Sequence, residues 1–269
     1  YSLAIPPGTH DLFALHWGGG GDLVVDQVAV MRNVAVTATT QQDISAAGAA
    51  LVQSFPVSIP TSGTQKGAAV TTLYSAGGTI VPLVKDASAP RETNALFPGQ
   101  MAPGDIYEQV MTVTSTGQLI GTSSATGAPA AQTFAPPAPL AGVATTVATS
   151  TPYPELKTTW SAYPNAVGYA WTADQILTGL QCGGSTACRV EWTALISAGV
   201  AGAAPVAQMP DLSAISGWSP KLKFLAGTMI SGSVEAVTST AGASDFPATS
   251  PPAIGTQHVL VRSDYTVTP

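Results

Sequence analysis

Charge is what this chain has least of. Asp, Glu, Lys and Arg make up 9% of its 269 residues, against roughly 25% in an average soluble protein. That excludes a charge-rich disordered chain and a coiled coil, both of which need abundant Glu and Lys. Nine Lys and Arg, spread thinly through a chain of net charge −6, leave no basic patch for a phosphate backbone, so no nucleic-acid partner is expected. Long apolar runs are missing too. The longest, the alanine-rich stretch from Ile44 to Val52, is far short of the roughly 20 residues that cross a bilayer, so no transmembrane segment is expected. With three histidines and two cysteines, metal-ligating side chains are scarce, and no metal or cofactor is expected.

What is present is small, turn-forming and β-branched. The chain holds 27 glycines and 22 prolines, and between them run short alternations of apolar and small polar residues rich in Val, Thr, Ile and Tyr. Period-two alternation is the mark of half-buried strands. Strands are expected at 9–17, 55–59, 70–74, 79–84, 107–114, 145–151, 156–160, 168–173, 189–195, 229–238 and 258–267. Leu23 to Thr39 reads as one long strand or two, with a break at Arg32-Asn33, and Asp43 to Gln53 as a short helix weakened by Gly48. Gly18 to Gly21 permits a sharp reversal and lacks the Lys-Ser or Lys-Thr of a phosphate loop. Three prolines in Thr133 to Leu140 make the best linker. The expected fold is all-β: two, at most three, β-sandwich domains in tandem, with residues 1–135 first, a linker at 136–140 and a second sandwich at 141–269. The chain begins at Tyr1 with no Met and no leader, which reads as a processed product or a fragment.

In the second half, Lys157-Thr-Thr-Trp160-Ser-Ala-Tyr-Pro164-Asn-Ala166-Val-Gly168-Tyr169-Ala-Trp171 resembles the B to C strand region of a fibronectin type III module. That family carries a Trp late in strand B and a Pro-x-Ala-x-Gly-Tyr turn before strand C. Leu225 to Ala236 is similar to its E–F turn and strand F, and His258 to Val267 to strand G. The resemblance covers about half the chain and implies an immunoglobulin-like two-sheet sandwich packed around Trp160. The family's corner tyrosine is replaced by Ile230, and Asp174 to Pro220 is longer than the family's middle strands. Near the start, Ile5-Pro-Pro-Gly8-Thr-His-Asp-Leu-Phe-Ala14 is similar to the turn and strand of carboxypeptidase regulatory-like (transthyretin-like) modules. Both resemblances imply scaffolding or binding modules of secreted and surface proteins, a fold-level analogy.

Cys182 and Cys188 enclose Gly-Gly-Ser-Thr-Ala, a loop flexible enough to bring two α-carbons within disulfide range. The bond would restrict the unfolded chain by roughly 2 kcal/mol on the chain-entropy account and places the protein in an oxidising compartment: periplasm, cell surface or medium. Catalytic signatures are absent. His10 and His16 stand about 20 Å apart along one strand, His258 has no neighbouring carboxylate in sequence, and no Gly-x-Ser-x-Gly elbow occurs. Asp105, after Pro-Gly, is a candidate calcium ligand without the acidic density of a calcium loop. The aromatic residues are the candidate contacts. Tyr169 and Trp171 share a strand face, and Trp218 sits in Ser-Gly-Trp-Ser-Pro. The expected function is a non-enzymatic, secreted or surface scaffold, a subunit assembling with other proteins. The alternative is a carbohydrate-binding module that stacks sugar rings on those aromatics.

Overall fold

The computed structural model describes residues 5–18, 24–37, 50–84, 92–149, 151, 153–179, 187–216, 223–247 and 251–269. Its regular structure is nearly all β, as the alternation requires. The chain forms two compact units, Tyr1–Thr114 with Gly121–Pro136 and Thr249–Gln257, and Ser115–Ile120 with Pro137–Ala248 and His258–Pro269. Residues 136–140 carry no regular secondary structure, and Leu140 is buried in the core of the second unit.

The first unit uses β1 (Gly8–Gly18), β2 (Val24–Val36), β3 (Ala50–Leu51), β4 (Gln53–Ser58), β5 (Lys66–Tyr74), β6 (Ile80–Val84), β7 (Glu92–Ala95), β8 (Ile106–Ser115) up to Thr114, β9 (Gln118–Thr126) from Gly121 and β10 (Gln132–Thr133). Its strand orders are β1–β2–β3, β10–β4–β7 and β6–β5–β8–β9. Strict alternation on β5 and β8 turns Leu73, Tyr107 and Met111 inward. Leu73 and Tyr107 join a core with Val25, Val28, Leu83 and Leu96, each large apolar side chain contributing about 1.5–3 kcal/mol on burial. The expected break at Arg32-Asn33 is a bulge within one strand. Asn33 takes a positive φ of 56°, and the β1–β2 register shifts between His10 and Leu12. Bulges of this kind re-aim a side chain without ending the strand. Of the expected helix at 43–53, residues 43–49 lie outside the described residues. Its end is a correction: Ala50–Leu51 is strand and Gln53 opens β4, because backbone pairing with β2 and β7 outweighs the weak helical preference of a Gly-containing run.

The second unit uses β11 (Ala144–Thr149), β12 (Glu155–Thr159), β13 (Gly168–Thr178), β14 (Ala187–Ser197), the one-turn helix α1 (Ala198–Ala201), β15 (Val206–Gln208), β16 (Ile230–Ser239) and β17 (Gln257–Val267). A three-stranded sheet, β11–β12–β15, packs against the run β14–β13–β16–β17 of a larger sheet. Leu156 and Trp160 from the first meet Tyr169, Trp171, Ala173, Val190, Val234, Ala236 and Val261 from the second. The turn into β13 is fixed locally: Asn165 adopts φ 57° and the Ala166 N–H donates to the Tyr163 carbonyl at 3.2 Å. Asn is among the few side chains that tolerate this conformation.

Candidate functional site

The aromatic candidates come first. Tyr169 and Trp171 are each 2% exposed, which corrects their place among the candidate contacts. Alternation puts them on one face of β13, and that face is the inner one. The Tyr169 ring lies 5.4 Å from Trp160 at 58°, a tilted pair, and its hydroxyl accepts the Tyr163 N–H at 2.9 Å. The Trp171 Nε1–H donates to Thr158 Oγ1 at 2.9 Å, and Thr158 also bonds Thr145 Oγ1. Two large rings with satisfied polar groups fill the sandwich and cannot act as a platform. Trp218 lies outside the described residues, as does Cys182. Cys188, half-buried, packs on the same core, and no described cysteine is free.

The opposite, outer face of β14–β13–β16–β17 is a polar ladder. Reading across β14, β13, β16 and β17 in register, the rows are Leu195–Ala170–Glu235–Arg262, Thr193–Thr172–Ser233–Asp264 and Glu191–Asp174–Ser231–Thr266. All of these but Leu195 and Thr193 line a concavity of about 490 Å³ that also takes in Arg189. Arg189 Nε donates to Asp174 at 3.2 Å, and its other end lies 3.4 Å from Glu191. Arg262 Nε donates to Asp264 at 2.7 Å, and Thr172 and Ser233 hydroxyls are 2.9 Å apart. Four carboxylates thus share two guanidiniums, a formal excess of two negative charges. Burial pushes the Glu235 carboxyl above its ordinary range, and Arg262 beside it opposes the shift. Beneath this face Tyr265 crosses Gly232, whose missing side chain leaves the room, and donates to the Thr172 carbonyl at 2.7 Å. Its hydroxyl is pushed up to about 12, first by burial, against hydrogen bonds to Thr158 and Trp171. The ladder therefore stands on a packed floor.

The histidines do not assemble a nucleophile. His10 Nε2 bonds the Pro6 carbonyl oxygen at 2.8 Å, and His16 pairs with Asp26 at 2.6 Å on the surface. His258 does have a carboxylate that sequence reading missed. It stands opposite Ser239 in the β16–β17 register, and Asp245, on the 3₁₀ turn of Ala243–Asp245, bridges the two. Asp245 Oδ2 accepts from Ser239 Oγ at 2.6 Å and meets His258 Nε2 at 2.5 Å. A serine nucleophile needs the imidazole between hydroxyl and carboxylate. Here the carboxylate is central, an arrangement that ties the hairpin together. A spacing of 13 residues hid it.

Asp105 also has a structural partner. Arg32, aimed by the β2 bulge, donates to Asp11 Oδ2 at 2.7 Å, to Asp105 Oδ2 at 2.7 Å and to the Gln100 carbonyl at 2.9 Å. Asp105 accepts further from the Ala76 and Ala102 N–H groups. Burial raises the Asp11 carboxyl, but Arg32 and the Asn33 N–H outweigh it and hold it below the usual carboxylate range. Among the described residues no cluster of three or more His, Cys, Asp and Glu stands ready for a metal ion. No protein-family model matches the chain, and a search of curated proteins finds no match.

Proposed function

We propose that this chain is a non-catalytic scaffold, a subunit of a larger extracellular or surface assembly, which docks a protein partner on the outer face of β14–β13–β16–β17. The observation that carries the reading is the charge-imbalanced ladder. A concave, polar, in-register surface with two uncompensated carboxylates complements a partner segment presenting Lys or Arg, and such complementarity fixes register and speeds encounter. The strand order, β11–β12–β15 against β14–β13–β16–β17, supports the fibronectin type III-like reading of this unit. There the buried Gln175 does what the family's corner tyrosine does: its carboxamide holds the turn through the Leu225 N–H at 2.8 Å and the Leu225 and Thr228 carbonyls at 2.9 and 2.8 Å.

A Cys182–Cys188 bond and an address outside the reducing cytosol belong to the same proposal. Intact mass without reductant checks the bond, and two alkylatable thiols in the native protein would remove the argument for an oxidising compartment. A photo-cross-linking residue at Thr266, on the outer face, is expected to give one discrete, salt-sensitive adduct in the native host. The same residue at Lys157, exposed on the opposite sheet, is expected to give none; equal labelling from both positions overturns the docking face. The carbohydrate reading keeps Trp218 alone of its three aromatics, and tryptophan fluorescence titrated with polysaccharides tests it.

A further inference from the structure

Among the described residues β14 is an end strand of its sheet. β14 pairs with β13 through all eleven residues, Ala187↔Thr178 to Ser197↔Gly168, without a bulge, and no described strand lies on its other edge. Such an edge is a template for further pairing unless proline, a bulge or charge blunts it. The terminal strand β6 of the first unit shows the blunted case, five residues with Pro82 among them. β14 has more than twice that length, no proline, and only Arg189 and Glu191 as charges.

Those two charges select a partner. When a strand pairs antiparallel with a copy of itself, facing residue numbers sum to a constant, and side chains keep to their own face of the sheet. With Val190 on the twofold axis, Arg189 faces the second copy's Glu191 and Glu191 faces the second copy's Arg189. Cys188 then faces Trp192, and Ala187 faces Thr193. Placing the axis at 189 or 191 instead sets Arg189 against itself or Glu191 against itself. Opposite charges directly across a strand pair are favourable and like charges unfavourable, so those two registers are penalised, and the axis at Val190, which alone sets Arg189 directly against Glu191, is favoured. Cys188, Val190 and Trp192, which pack on the core within one chain, would continue it across the axis.

We propose that two copies of this chain associate edge to edge through β14, antiparallel about Val190, which joins their β14–β13–β16–β17 runs into one continuous sheet. The interface is isologous, as twofold assemblies require. This deepens the scaffold reading and rests on it only in treating the chain as a subunit. Arg189 and Glu191 lie at the β14 rim of the outer polar face, and its β13, β16 and β17 rows stay open to the other partner.

Sedimentation of the purified full chain across a concentration series tests it. A monomer–dimer equilibrium is expected, with R189E and E191R each raising the dimer dissociation constant roughly tenfold, since each turns two attractive cross-strand pairs repulsive. The double variant R189E/E191R restores opposite charges in the same register and is expected to return to within about threefold of the unaltered chain. Backbone amides of 187–193 should exchange more slowly as concentration rises. A monomer at every concentration overturns the proposal, as does a dimer that neither single reversal weakens or a double variant no better than the singles. If a reversal prevents folding, amide exchange in the unaltered chain decides, and concentration-independent exchange in β14 overturns it. Because this experiment contains no second protein, its failure leaves the docking face standing, and loss of the Thr266 adduct leaves the dimer standing.

Discussion

Gln175 and Arg32 show how single polar side chains hold what apolar burial cannot. Gln175, fully buried, satisfies one N–H and two carbonyls of the 225–228 turn. Replacing it by Leu keeps the volume and orphans all three backbone groups, so Gln175→Leu is expected to destabilise the second unit by about 2–4 kcal/mol, read as a lowered denaturation midpoint. Arg32→Met is expected to cost more, about 3–5 kcal/mol, since it leaves the Asp11 and Asp105 carboxylates buried without their cation. The first prediction fails if Leu is tolerated, the second if Met is. Arg32 also stacks over Phe13 at 5.1 Å, so Arg32→Lys should rescue only part of the loss: a point charge cannot bridge two carboxylates and a ring.

At the scale of elements, much of the architecture was legible. Where Val, Thr and Tyr alternate with small residues for five positions or more, the sequence located β5, β8 and β13, because one face of each is buried and the other is less so. The strands it passed over are those without that contrast. β15 is three residues and β10 two, their pairing set by distant chain, and β9 is Gly, Ser and Thr through its middle. The candidate site was less legible for a related reason. Alternation shows that Tyr169 and Trp171 share a face, but which face is inner depends on Trp160 and Leu156 of another sheet. Likewise the outer ladder exists only after four strands are in register. Gly232 illustrates the point: nothing in Ser-Gly-Ser marks it as the gap through which Tyr265 passes. A Cβ there would overlap the Thr172 carbonyl oxygen and the Tyr265 ring, so Gly232→Ala is expected to destabilise the second unit by about 1–3 kcal/mol. Shortening the ring in Gly232→Ala/Tyr265→Leu should recover part of that, read by urea denaturation. An unaffected single variant would place Tyr265 elsewhere.

At the scale of the whole molecule, the scarcity of charge governs behaviour in acid. The net charge falls to zero near pH 4.8, where nothing long-ranged keeps copies apart. Stability runs the other way over the same interval. Asp11 has its folded-state pKa lowered, so its contribution is fully present above the unfolded value of about 4 and is lost only as pH falls below that, through the folded pKa. Glu155 and Glu235 have theirs raised by burial, Glu155 with a further push from Asp211. Each therefore weakens the fold at neutral pH and ceases to do so as it protonates on acidification. Between about pH 5 and 4 the molecule should accordingly be folded and uncharged, and unfolding should begin only below that window. The expected result is light scattering that rises toward pH 4.8 while the far-ultraviolet spectrum keeps its β form, followed by loss of that form at lower pH. Arg32→Met should bring no rise in acid sensitivity below pH 4, because the pairing that lowered Asp11 is already gone. A β signal lost before scattering appears would mean that unfolding drives the association, and that the carboxylates of the two cores do not set the acid limit of the fold.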